Sequence, residues 1–276
     1  SGVNLSLDTG EGVREGLKKS SAGRVIASFR KAMYIRVGPH VFALTIASVP
    51  SGPLHARMNM LPLGAVGDPV EVRQGELRVV DRVVPISEQL WVPTVFPDMR
   101  RATGLLSTVL CHVPNLNLSG TSDDLLEDDL ASFLQVGDLV GACARVIGHG
   151  AGLTPAGDDV AAGILAVDSI LGVHDRVMRE GIVSTATTHE ISRAFLRWAA
   201  VGQSIETLHT FLQSCAFGQE VAARASRARL TEHGYSSGLD LAYGALMALK
   251  YLPNALDAAH FSDLRSTPKG QAQMMR

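Results

Sequence analysis

Cysteine is scarce in this chain. Its 276 residues include 3, at Cys111, Cys143 and Cys215, widely spaced and with no Cys-x-x-Cys pair. That pattern builds neither a disulfide framework nor a cysteine zinc site. A reducing cytoplasm is the expected compartment, with each cysteine a small buried hydrophobe. No His/Cys cluster points to a transition metal. Net charge is only -2 and there is no long basic run, so nucleic-acid binding has little support. No apolar run approaches the roughly 20 residues a membrane span needs. The longest, 160–173, is interrupted by Asp168. No secretory signal is apparent at the start. No Gly-Lys-Ser/Thr phosphate loop occurs, and strands do not alternate with helices, which argues against a doubly wound sheet.

What is present is an ordinary globular balance, with 46% hydrophobic and 19% charged residues, long enough for a large core and two lobes. Residues 1–19 read as polar and loosely specified. Segments 25–29, 33–37 and 41–46 cluster β-branched and aromatic residues between turn signals such as Gly38-Pro39 and read as strands. Pro50-Ser51-Gly52-Pro53 reads as a loop. Segments 69–72, 76–80 and 83–86 read as further strands, with a hairpin at Gln74-Gly75. A proline-flanked linker, 91–97, precedes a change of composition. Beyond it helices are expected over 99–112, 122–133, 137–147 and 160–173. Another follows Thr187-Thr188-His189-Glu190, a Thr-x-x-Glu capping pattern. Ile205, Leu208, Leu212 and Cys215 mark the next, 221–230 another, and a last one is expected to stop near Tyr251 at Pro253. The tail from Ser262 reads as polar and frayed. The fold class is therefore α+β, with a β-rich lobe at 1–97 and a helical lobe at 98–276.

The stretch Gly148-His149-Gly150-Ala151-Gly152-Leu153-Thr154-Pro155-Ala156-Gly157-Asp158-Asp159 stands out. It reads as a glycine-rich loop feeding a helix, with Thr154 as N-cap, Pro155 at the first helical position and two aspartates in the first turn. A capped helix accounts for one aspartate and one or two glycines. Three glycines, Thr-Pro and a carboxylate pair together fit a cradle of free N–H groups for an anion or phosphate. The pattern returns at Gly234-Tyr235-Ser236-Ser237-Gly238-Leu239-Asp240, followed by Gly244. Skipping Ala156 sets Gly152 on Gly234, Thr154 on Ser236, Gly157 on Gly238, Asp159 on Asp240 and Gly163 on Gly244. Two such helices can pack through Gly163 and Gly244, turning Asp159 and Asp240 toward one pocket lined by Thr154, Ser236 and Ser237. The alternative is two independently capped helices.

Candidate catalytic residues are Asp158, Asp159, Asp240 and His149, the histidine as general acid/base or oxyanion donor. Candidate substrate-binding residues are Gly150, Gly152, Thr154, Gly157, Ser192, Arg193, Ser236, Ser237 and Gly238. Arg193 is of the type that grips a carboxylate or phosphate bidentately, or else it lies on a solvated helix face. Asp158 and Asp159 are candidate ligands for magnesium, which binds through few carboxylates plus substrate phosphate oxygens.

Three stretches in this order, Gly152-Leu153-Thr154-Pro155-Ala156-Gly157-Asp158-Asp159, Glu190-Ile191-Ser192-Arg193 and Gly234 to Asp240, resemble the AllH-type subunit of oxamate carbamoyltransferase. The resemblance spans the helical lobe and reaches the β lobe only in general layout. Ala156 stands where that family often has serine, and Val160 where it often has an aromatic. The resemblance implies a role in allantoin or purine catabolism, converting oxalurate and phosphate to oxamate and carbamoyl phosphate. It also implies partner subunits, one resembling acyl-CoA synthetases. Three functions are expected to compete: a carbamoyl- or acyl-transfer subunit acting on small carboxylates, a non-catalytic anion-binding or assembly subunit, and a stand-alone amide or carbamoyl hydrolase.

Overall fold

The computed structural model describes residues 6–93, 124–217, 219–232 and 237–266. It is α+β, an N-terminal curled sheet followed by a helical region. The strands are β1 (Ser6–Thr9), β2 (Ser21–Ser28), β3 (Ala32–Val37), β4 (His40–Ile46), β5 (His55–Met58), β6 (Pro69–Arg73), β7 (Glu76–Val79) and β8 (Arg82–Val84). They form one sheet in the order β1-β5-β4-β3-β2-β6-β7-β8. All neighbours are antiparallel except β4 and β5. Strand alternation sets the layers. On β3, Met33, Ile35 and Val37 enter the sheet's own core with Phe42, Leu44, Val70 and Leu77. Tyr34 and Arg36 fall on the opposite face.

Every strand expected from the sequence is present within a few residues, and the hairpin turns at Gln74 and Gly75 with φ of 52° and 83°. Three elements of the N-terminal region were not expected, among them β5 just beyond the Pro50-Ser51-Gly52-Pro53 loop. β1 and the helix α1 (Glu11–Leu17) occupy the segment read as loosely specified. Local propensity hides α1, because Gly12 and Gly16 weaken a helix of 7 residues. Packing makes it instead: a Cβ on Gly12 would lie 2.8 Å from Trp198 Nε1, and Val13 and Leu17 are buried. β1 is held by Asp8, which accepts from Ser51 Oγ at 2.9 Å and pairs with Arg57 at 2.5 Å on β5.

The helices that follow are α2 (Asp124–Gln135), α3 (Leu139–Val146), α4 (Ala156–Leu171), α5 (Arg176–Thr185), α6 (Glu190–Ala199), α7 (Glu206–Ala216), α8 (Glu220–Glu232) and α9 (Ser237–Ser266). They share one apolar core, centred on α4 and α9. Cys143 and Cys215 are buried free thiols in that core. Burial pushes both up, Cys215 to about 12, so neither is a ready nucleophile. Cys111, the helix expected over 99–112 and the lobe boundary at 97/98 lie outside the described residues. α9 runs for 30 residues and passes through Pro253 rather than stopping there. A proline removes one helical hydrogen bond, but the good helix formers that follow, Ala255, Leu256, Ala258 and Ala259, carry the helix on. Among the described residues no helix is long and apolar enough to cross a membrane.

Candidate functional site

The glycine-rich segment connects α3 to α4. Gly148, Gly150 and Gly152 have φ of 82°, 123° and 94°, a region closed to most side chains. The chain folds back on itself there: the Gly157 N–H donates to the His149 carbonyl at 2.9 Å. This closure replaces a side-chain cap. Pro155, not Thr154, is the N-cap, and no side chain caps α4.

Asp158 is 2% exposed and both its oxygens are engaged. Oδ1 accepts from the Gly148 N–H at 2.7 Å, and Oδ2 accepts from Thr188 Oγ1. It therefore anchors the loop's entry to the segment between α5 and α6. A second departure from expectation lies beside it: the capping box expected between Thr187 and Glu190 does not form, because Glu190 is the first residue of α6 rather than its third. His189 is the N-cap of α6, accepting from the Ile191 N–H at 3.2 Å. Ser192 is buried and donates to the Leu153 carbonyl at 3.2 Å. Leu153 itself joins a small apolar cluster with Tyr34, Val41, Ile191 and Phe195. Three fastenings, at Gly148, Leu153 and Gly157, thus hold the ends of the loop. Between them the amides of Gly150, Ala151, Gly152, Leu153 and Thr154 make no hydrogen bond among the described residues. Gly150, Ala151 and Gly152 are exposed, and Thr154 is half-exposed.

His149 is exposed at the loop's mouth. Its Nδ1 lies 3.2 Å from the Val146 carbonyl, which only accepts, so Nδ1 carries a proton. Asp159 is half-buried at the start of α4, and its charge acts on Tyr34. Burial first, and then Asp159, push the Tyr34 hydroxyl up to about 12. Tyr34 did not emerge from the sequence, because it sits on a strand 125 positions before Asp159 and no spacing connects them. Thr188 had no signal of its own, since the capping pattern there was read on Thr187 and Glu190.

Arg193 Nη2 donates to the Ala186 and Thr188 carbonyls, at 2.9 and 3.4 Å. It faces a separate cleft of about 1120 Å³ between the sheet and α5 and α6, whose walls include Arg36, Arg193, Arg197, Trp198 and Glu15. Thr188 lines that cleft and also holds Asp158, so cleft and loop share it. Arg36 closes one side by pairing with Glu190 at 3.2 Å.

The second motif repeats the first in packing as well as in sequence. A Cβ on Gly157 would lie 1.9 Å from the Val146 carbonyl at the end of α3, and one on Gly238 would lie 1.8 Å from the Leu230 carbonyl of α8. One turn or two further along, a Cβ on Gly163 would lie 2.2 Å from the Leu241 carbonyl and one on Gly244 would lie 1.9 Å from the Val160 carbonyl. The two helices cross reciprocally, backbone against backbone, through the expected pair of glycines. Asp159 precedes Val160 and buried Asp240 precedes Leu241, so each carboxylate is one residue from the carbonyl that meets the opposite glycine. Ser237 opens α9, and Ser236 lies outside the described residues. Among the described residues no group of three or more His, Cys, Asp or Glu is placed to hold a metal.

Residues 146–249 match the family model of oxamate carbamoyltransferase subunit AllH. The match starts at the last residue of α3, takes in the glycine loop, α4, α6 and the second motif, and ends in α9. It bears out the resemblance drawn from the three motifs. No curated protein and no solved structure matches the chain.

Proposed function

We propose that this chain is a subunit of a carbamoyl-transfer enzyme of the oxamate carbamoyltransferase kind, and that the loop Gly150–Thr154 holds its small anionic substrate. The observation that carries this reading is the row of amides from Gly150 to Thr154, fixed at both ends and bonded to nothing among the described residues. It lies at the head of α4 and inside the stretch that matches the subunit family. Unbonded amides at the start of a 16-residue helix favour negative charge. A carboxylate of oxamate or oxalurate, or the phosphate of carbamoyl phosphate, is the right size and sign.

In this reading Thr154 donates to the anion, while Asp159 accepts from the carbamoyl NH2 or, with Asp240, holds magnesium on the phosphate. Asp158 and Ser192 set the loop's shape. Catalysis is then mainly positioning and charge stabilisation. Partner subunits, one of them acyl-CoA-synthetase-like, complete the enzyme. A second reading, an anion-binding subunit without chemistry of its own, is favoured by one fact. Asp158, one of two adjacent carboxylates, is wholly consumed in holding the loop.

Thermal-shift titration with oxamate, inorganic phosphate and carbamoyl phosphate, with and without magnesium, tests the loop. Stabilisation by at least one anion is expected, and none by any of them overturns the reading. Asp159→Asn separates the two versions. If Asp159 takes part in the reaction, the variant still assembles with its partners and turnover drops at least tenfold. Unchanged turnover leaves anion binding alone.

A further inference from the structure

Tyr34 and Arg36 alternate onto the face of β3 turned away from the sheet's core, and both meet the helical lobe there. Arg36 reaches Glu190. Tyr34 shares an apolar cluster with Leu153 of the glycine loop, and Phe195 of α6 stands edge-on to its ring at 6.4 Å. Phe29 braces the ring from another side at 6.2 Å, also edge-on. The ring is fixed while the hydroxyl is uncommitted. Its oxygen makes no hydrogen bond among the described residues and is not sealed from solvent. A tyrosine this enclosed ordinarily finds a partner for its O–H. Leu153 of the loop packs against the same apolar cluster as the ring, and the charge of Asp159 at the head of α4 acts on the hydroxyl.

We infer that Tyr34 is a ligand-binding residue. Its hydroxyl donates a hydrogen bond to an oxygen of the carboxylate or phosphate held on the Gly150–Thr154 amides, so that the β lobe completes a site begun by the helical lobe. The inference rests on the loop reading given above and adds a recognition rule to it. Amides and hydroxyl are donors and take the oxyanion end of the ligand. Asp159 is an acceptor and takes an N–H. The pair therefore selects an anion that carries an amide or carbamoyl group over a plain one, which names oxamate ahead of phosphate. Because the hydroxyl stays protonated up to about pH 12, its contribution does not change across the assay range.

The test is calorimetric titration of the full chain with oxamate and with inorganic phosphate. Tyr34→Phe keeps the ring and its contacts, so the melting temperature is expected to stay put. Affinity for both anions is expected to fall about tenfold or more, the range for a hydrogen bond to a charged group. The ratio of wild-type to variant affinity is expected to be constant from pH 7 to 10. If Tyr34→Phe binds like wild type while Gly152→Val loses binding, the loop reading stands and the role of Tyr34 falls. If wild type binds neither anion, both fall. A variant that melts lower but binds equally well makes Tyr34 structural only and overturns the inference. Wild-type protein carrying 13C at the tyrosine ζ carbon gives a check independent of any variant. The Tyr34 resonance is expected to move on adding oxamate, and a resonance that stays still sinks the proposal.

Discussion

Adjacent aspartates at a helix start are easily given one role, yet here they part company. Asp158 turns inward and accepts from the Gly148 N–H and the Thr188 hydroxyl, whereas Asp159 stays half-buried toward Tyr34. Consecutive helical residues point about 100° apart, so a pair in sequence cannot share a direction. The sequence showed that carboxylates gather at this turn. It did not show which one is structural, since that depends on Thr188, thirty positions away, and on a loop whose path only coordinates reveal. The consequence at this scale is measurable. Asp158→Ala leaves two donors facing a buried gap, and a loss of about 2–3 kcal/mol in urea unfolding is expected. Asp158→Asn keeps the shape but gives up one of two accepted bonds, and about half that loss is expected. If Asp158→Ala unfolds at the wild-type urea concentration, the anchor assigned here is not holding the loop.

At the scale of elements, the glycines of the two motifs do different jobs that the alignment alone could not separate. Gly148, Gly150 and Gly152 serve the backbone conformation of the loop, while Gly157, Gly163, Gly238 and Gly244 serve packing. The crossing of α4 and α9 through Gly163 and Gly244 was legible, because a thin apolar stripe repeated in register says that two helices approach closely. The length of α9 was not, since Pro253 carries a strong local stop signal that its surroundings override. α1 was missed for the opposite reason, its glycines being selected by Trp198 and Phe42 from distant parts of the chain. Ala at 244 or 163 places a Cβ about 2 Å from a backbone carbonyl of the partner helix. Neither helix can yield locally, so the pair must separate. Gly244→Ala is expected to destabilise by about 1–3 kcal/mol despite the higher helix propensity of alanine. A variant more stable than wild type in urea would mean the helices are not in backbone contact.

For the whole molecule, the sheet followed by helices was readable from composition, since β-branched alternation gives way to helical spacing after the linker. The tie across the helical lobe was not. Asp168, 0% exposed, sits in the apolar run that marks α4 and was noticed only as an interruption. Its Oδ1 meets His174 Nδ1 at 2.6 Å, its Oδ2 meets Arg179 Nη1 at 3.0 Å, and His174 Nε2 lies 2.8 Å from the Gly137 carbonyl. Arg179 continues to the Ala200 carbonyl at 2.7 Å, so the turn before α3, α4, α5 and the end of α6 are fastened at one point. Both ring nitrogens of His174 face acceptors, and the imidazolium is the form that satisfies both. The Asp168 hydrogen bond accordingly raises the His174 pKa above its ordinary 6.5, against a lesser opposing effect of burial. A raised folded-state value stabilises the protein fully below the unfolded value and is lost as pH climbs through the folded one. His55 and His209 act in reverse. Burial lowers both, His209 to about 4, so their contribution is present above 6.5 and fades as pH falls. Stability is therefore expected to peak near neutrality, with an alkaline flank set by His174 and an acid flank by the two buried neutral rings. Urea melts from pH 5 to 10 give the profile, and His174→Gln is expected to flatten its alkaline side while leaving the acid side in place. An alkaline flank that persists in the variant would show that the buried tie does not depend on a charged His174.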